Sequence, residues 1–265
     1  MYTINLKINK LLSIWLISMF FIIALMIVVG GLTRLTDSGL SITEWQLFSG
    51  ILPPLNNDQW IMYFNLYKEI PEFKLQNFNM SLQEFKIIFW WEWAHRFLGR
   101  LIGIGFIIPL IYFTIILGFK KLFNLYLIFI LICFQGFLGW FMVQSGLVYD
   151  VDVSHFRLSA HLLFAFIILS LIFWNYLKTK VKINLKNTIN LIFPLGFLFL
   201  IFLQIIIGAF VSGMDAGKIY NSWPLMGSSF FPDDNDYSNL FKLSAFSDPS
   251  LVQFIHRKLA YLIGF

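Results

Sequence analysis

The chain is 265 residues long, 58% hydrophobic and 12% charged, with a mean hydropathy of +0.76, a composition that excludes a water-soluble globular domain. Its net charge of +5 comes without a basic patch for RNA or DNA, so nucleic acid is excluded as a partner. The single cysteine, Cys133, excludes a disulfide within the chain and reads as a small apolar packing residue.

Crossing a bilayer takes about 20 apolar residues at roughly 1.5 Å each. Stretches long enough lie near 11–30, 92–118, 122–147, 156–177 and 188–212, and a sixth begins near Leu251 and is cut off at Phe265. In hydrocarbon the backbone must satisfy its own hydrogen bonds, so these are helices and the lipid bilayer is the first partner. The predicted fold is an all-α polytopic membrane protein. Lys7 and Lys10 precede the first stretch as they would in a secretory signal, but its core is too long for one. Gly30-Gly31-Leu32-Thr33 is also a poor cleavage site, so this helix is expected to be retained.

Charge sets the topology. The N-terminal tail, the 119–121 turn and the 178–187 loop carry Lys7, Lys10, Lys120, Lys121, Lys178, Lys180, Lys182 and Lys186 and no acid. The positive-inside rule puts the N-terminus in the cytoplasm of a bacterial cell, or in the matrix for a mitochondrial inner-membrane protein. The connections at 31–91, 148–155 and 213–250 then lie outside.

The chain also repeats itself. His95–Gly103 returns as His256–Gly264 with six of nine residues identical. Gly30–Pro54 is echoed by Gly208–Pro232 at a constant offset, pairing Asp37 with Asp215, Gly39 with Gly217 and Trp45 with Trp223. Helices two, four and six all enter from the outer face, and His95, His161 and His256 each lie one or two turns inside it. An ionisable group inside a membrane helix marks a site by default. With no CxxC, HExxH or carboxylate cluster nearby, zinc and di-iron sites are disfavoured. Paired histidines at one depth instead suit the two axial positions of a haem iron. Arg96, Arg100, Arg157, Arg257 and Lys258 cluster at that level as candidate propionate contacts. His155, about 240° around the helix from His161, reads as a solvated helix end. Trp90, Trp91 and Trp93 read as an interfacial belt, and Gly99 and Gly103 as a small-residue spacing for close packing.

The two copies differ at one telling position. Glu92 stands one turn before His95, whereas its counterpart before His256 is Gln253. A carboxylate beside one site and an amide beside the other fits one reacting site and one that does not react; the bland alternatives for Glu92 are a salt bridge with Arg96 or Lys86, or simple exposure at the interface. Two other classes share the histidines: a bis-histidine membrane electron carrier of the cytochrome b type, which would have no use for Glu92, and a non-catalytic haem-handling assembly factor.

Several runs resemble the haem A synthase family. They are Glu92-Trp-Ala-His95-Arg, Gly-Gly-Leu-Thr-Arg-Leu-Thr-Asp-Ser-Gly-Leu-Ser at 30–41, Trp45 followed by Pro53-Pro54, Gln-Gly-Phe-Leu-Gly-Trp at 135–140 and Ser145-Gly-Leu. To these add Arg157-Leu-Ser-Ala-His161-Leu, Gly-Ala-Phe-Val-Ser-Gly-Met-Asp-Ala-Gly at 208–217 and Asn221-Ser-Trp-Pro-Leu-Met. The long first outer loop without a cysteine pair is similar to the proteobacterial and mitochondrial branch. The resemblance implies an oxidoreductase that hydroxylates the C8 methyl of haem O twice, water loss leaving the formyl group of haem A for terminal oxidases. It implies eight helices in two four-helix bundles, here an N-terminal bundle over 1–187 and the start of the second over 188–265. His95 and His161 would flank the substrate haem, with Glu92 as the catalytic carboxylate. His256 would be one axial ligand of a cofactor haem b, whose second ligand is expected beyond the end of what looks like a C-terminally truncated chain. An electron donor is required but not named by the sequence, haem O synthase is an expected partner by resemblance only, and an oligomer is compatible with the reading.

Overall fold

The computed structural model describes residues 6–44, 49–148, 151–180 and 191–265. Trp45, Lys182 and Lys186 lie outside the described residues. The described chain is all-α, with five helices long and apolar enough to cross a membrane: α1 (Leu6–Leu35), α4 (Leu82–Leu117), α5 (Phe119–Val148), α6 (His155–Lys180) and α7 (Ile192–Gly213). Two short helices, α2 (Asn57–Tyr67) and α3 (Pro71–Leu75), occupy the first long connection, and α8 (Pro249–Gly264) carries the second histidine repeat. Exposed Phe193, Leu195, Phe197 and Phe199 on α7 would be a liability in water and are ordinary against lipid. The chain is an integral membrane protein.

The chain forms two compact units, the first of residues 1–152 and 164–186, the second of 153–163 and 187–265.

In the first unit α1 packs along α4 and α4 along α5. Leu16, Met19, Ile23, Phe106, Leu110 and Ile128 form the core between them, joined by Ile172 from α6. Pro109 inside α4 has no N–H, so the carbonyl four residues earlier, on Gly105, loses its helical donor. The Trp15 indole N–H supplies that bond at 3.0 Å. The Trp15 ring also stacks on Phe113, with centroids 5.5 Å apart and planes 28° from parallel.

Helix α4 begins at Leu82, well before the start near 92 that hydropathy alone suggests. Local chemistry explains the difference. Ser81 accepts from the Glu84 N–H while Glu84 accepts from the Ser81 N–H, a reciprocal capping box. The added turns are amphipathic and bury Phe85 and Phe89 beneath Trp60, Phe64 and Tyr67 of α2.

In the second unit α7 packs along α8, with Ile207, Phe210, Val252 and Leu259 at the contact. Asp248 caps α8 by accepting from the Leu251 N–H at 3.0 Å, and Pro249 occupies the first turn, where a missing N–H costs nothing. A second cluster of Phe231, Ala245 and Leu251 lies beneath the connection leading into α8.

Candidate functional site

Each repeat builds the same device. Helix α1 ends at Leu35 and α7 at Gly213, equivalent positions, and each is followed by an aspartate in the left-handed region: Asp37 at φ 46° and Asp215 at φ 51°. Outside glycine, aspartate and asparagine tolerate this conformation best. The reversal turns the chain into a strap, 36–44 in the first repeat and 214–222 in the second. Each strap runs back past the helix that carries a histidine.

In the first repeat Arg96 grips the strap backbone. Its Nη2 donates to the Ile42 carbonyl at 2.8 Å and its Nη1 to the Glu44 carbonyl at 3.2 Å. Glu92, one turn earlier and 3% exposed, accepts from the Ile42 N–H at 2.7 Å and the Ser41 hydroxyl at 2.7 Å through Oε2. Its Oε1 accepts from Arg96 Nη2 at 2.6 Å and Nε at 3.0 Å. The ion pair with Arg96 is therefore present, and Glu92 is a buried carboxylate with both oxygens held.

The second repeat reproduces this residue by residue. Arg257 Nη2 donates to the Tyr220 carbonyl at 2.6 Å and Nη1 to the Ser222 carbonyl at 2.9 Å. Gln253 accepts from the Tyr220 N–H at 3.3 Å and donates to the Tyr220 carbonyl at 2.9 Å. Tyr220 and Ser222 are the repeat equivalents of Ile42 and Glu44. An amide thus holds the second strap where a carboxylate holds the first.

The histidines are placed by glycines. A Cβ on Gly30 would meet His95 Nε2 at 3.0 Å, and a Cβ on Gly208 would meet His256 Cε1 at 3.0 Å. Gly30 and Gly208 are equivalent in the repeat, so each ring rests against backbone that only glycine leaves open. Gln204 Nε2 lies 3.3 Å from His256 Nε2 and 3.3 Å from its carbonyl oxygen.

The remaining candidates fall in different places. His161 is half-buried on α6, with Arg157 one turn before it. Arg100 lines a cleft in the first unit with Ile42, Tyr63, Trp93 and Arg96. Lys258 Nζ sits over the rings of Phe254 at 5.0 Å, Phe230 at 5.5 Å and Tyr261 at 5.6 Å, a cation–π setting. A Cβ on Gly99 would meet the Met26 methyl at 3.5 Å, ordinary van der Waals contact between α1 and α4. His155 is not the solvated helix end that its angular position predicts. It is half-buried, its Nε2 lies 3.1 Å from the Phe246 carbonyl, and its ring stands edge-on to Phe210.

Sequence reasoning missed a buried cluster in the first unit. Glu72 on α3 is 4% exposed; its Oε1 accepts from the Tyr67 hydroxyl at 2.8 Å and from Asn77 Nδ2 at 3.2 Å. Burial pushes its pKa up to about 8, opposed by the Tyr67 hydrogen bond and assisted by the charge of Glu92. Its composition gave no periodic or motif signal. The straps, by contrast, were detectable from the repeat offset alone.

Residues 13–265 match the family model described as cytochrome oxidase assembly protein. The protein named Heme A synthase from Pelagibacter ubique (strain HTCC1062) is 55% identical over 260 residues, covering 97% of this chain and 77% of its own length. Those of the same name from Rickettsia bellii (strain RML369-C) and Parvibaculum lavamentivorans (strain DS-1 / DSM 13023 / NCIMB 13966) are 45% and 46% identical, covering 97% and 94% of this chain and 78% and 73% of their own lengths. The chain belongs to the haem A synthase family. No solved structure matches it. The haem A synthase family match runs through both straps and both histidine repeats.

Proposed function

We propose that this protein makes haem A from haem O, oxidising the C8 methyl to a formyl group by successive hydroxylations with loss of water. The relatives named Heme A synthase support this reading across nearly the whole chain. One structural observation carries it to residues: the two repeats hold their histidines and straps alike, yet one places a carboxylate where the other has an amide.

In this reading His95 and His161 would hold the substrate haem and His256 would hold a cofactor haem b, as the family resemblance implies. The described residues fit such groups. His256 Nδ1 and Gln204 Oε1 are buried with no hydrogen-bond partner among the described residues, and Gln204 Nε2 stands 3.3 Å from His256 Nε2, the nitrogen that would face an iron. Gly30 and Gly208 leave room for the His95 and His256 rings against the backbone, which fixes where each imidazole sits. When bound, the porphyrins supply the redox chemistry; the protein supplies placement and axial ligands, and keeps water out.

The chain's own contributions can be assigned. Glu92 presents a buried carboxylate one turn from His95 and is the group that accepts or delivers protons there. Arg96 and Arg257 hold strap carbonyls and so serve the scaffold, while Arg100, Arg157 and Lys258 stand as propionate candidates on their sequence positions. The lysine distribution places the N-terminus and the 119–121 and 178–187 connections on the cytoplasmic or matrix side, so the straps face the other. A haem O synthase is the natural source of substrate, and a separate donor supplies electrons.

Expression of the full-length protein in a host that makes haem O but not haem A tests the assignment. Extracted haems are separated and identified by mass. Haem A from the native protein and none from Glu92→Gln is the expected result. Bound haem b with haem O untouched in the native strain would overturn it and favour an electron carrier.

A further inference from the structure

Subtracting one repeat from the other isolates what the first adds. Both repeats have the arginine grip and the hydrogen bond from strap N–H to the residue at 92 or 253. Gln253 shows that an amide suffices for that task. The first repeat adds two things the grip does not need, the charge on Glu92 and the Ser41 hydroxyl bonded to it. The repeat equivalent of Ser41 is Ile219, which has no polar side-chain atom. Hydroxyl and carboxylate are thus present together or replaced together.

We propose that Ser41 is a positioning residue for Glu92, holding Oε2 so that the carboxylate keeps one orientation toward the substrate haem. This rests on the reading that the Glu92 site is the reacting one. Ser41 is 1% exposed, and its hydroxyl lies 2.7 Å from Oε2, against 3.2 Å from the Ser38 carbonyl and 3.4 Å from that of Ile88. The shortest of the three is also the charge-assisted one and takes the proton. Arg96 fixes Oε1 through two nitrogens and the Ile42 N–H approaches Oε2 along the strap. Ser41 supplies the side-chain contact to Oε2, so its loss leaves the carboxylate bound but free to tilt.

The test uses Ser41→Ala and Ser41→Thr in the full-length protein, with Arg96→Ala as the variant that releases the strap. Ser41→Ala is expected to lower the rate of haem A formation about ten-fold, the effect of losing one hydrogen bond to a charged group, and Ser41→Thr to restore it to within about two-fold. Amide exchange over 36–44 should stay native in both serine variants and accelerate in Arg96→Ala. The infrared carboxylate band that Glu92→Gln abolishes should shift in Ser41→Ala and return in Ser41→Thr. A native rate with an unshifted band in Ser41→Ala overturns the proposal. So does strap exchange in Ser41→Ala as fast as in Arg96→Ala, which would make the residue structural only. A native protein that forms no haem A, with the band still shifting, overturns the synthase reading while upholding the pairing.

Discussion

Trp15 donates its indole N–H to the Gly105 carbonyl, the one acceptor in α4 that Pro109 leaves without its helical donor. A helix in lipid has no water to cover such a carbonyl, so a side chain on the adjacent helix must. Trp15→Phe is expected to destabilise the first unit by about 1–2 kcal/mol. Pro109→Ala in that background restores the helical N–H and should recover most of the loss. Thermal unfolding of the single and double variants in detergent checks both.

The two arginine grips should not cost the same to remove. Arg96→Ala strands the buried Glu92 carboxylate without its cation, a change expected to destabilise by about 3–5 kcal/mol. Arg257→Ala strands only carbonyls beside a neutral amide, and about 1–3 kcal/mol is expected. The same unfolding measurement ranks them; an equal cost would mean that Glu92 gains nothing from its ion pair.

Gly30 and Gly208 lie where a larger residue would enter the space of a histidine ring. Overpacking of this kind costs about 1–3 kcal/mol, enough to weaken a bound group ten-fold or more. If His256 holds a b-type haem as proposed, Gly208→Val should remove its absorbance and Gly208→Ala should retain it with altered intensity. Reduced-minus-oxidised spectra of membranes distinguish these outcomes.

Glu72 gives a pH dependence with a defined sign. Its folded pKa, about 8, lies above the ordinary 4.5, so the folded protein holds a proton that the unfolded chain has released. Stability from this group is complete below about pH 4.5, and falls as pH rises toward 8. Glu72→Gln should flatten that decline while keeping a hydrogen-bond partner for Tyr67. Unfolding midpoints between pH 5 and 9, native against variant, measure it.

The sequence exposes what repeats or is periodic. Apolar length located the five long helices, and the repeat located both histidine regions and the Glu92–Gln253 difference. Hydropathy missed the first turns of α4 because they are amphipathic, covered by α2 on one face, and begun by a capping box. It could not see α2 and α3, short helices in a polar connection. His155 was misjudged because angular position on its own helix says nothing of Phe210 and Phe246, which come from elsewhere in the chain. Ser41 was within a quoted motif, but its meaning required knowing that the strap folds back onto Glu92.

Both straps keep a left-handed aspartate and an arginine grip, while only one keeps a carboxylate and a hydroxyl, so the shared scaffold does not depend on that pair. The two copies differ at the paired positions 41 with 219 and 92 with 253, and both nevertheless hold their straps. A designer could therefore install Ile219→Ser with Gln253→Glu in the second strap without redrawing the backbone.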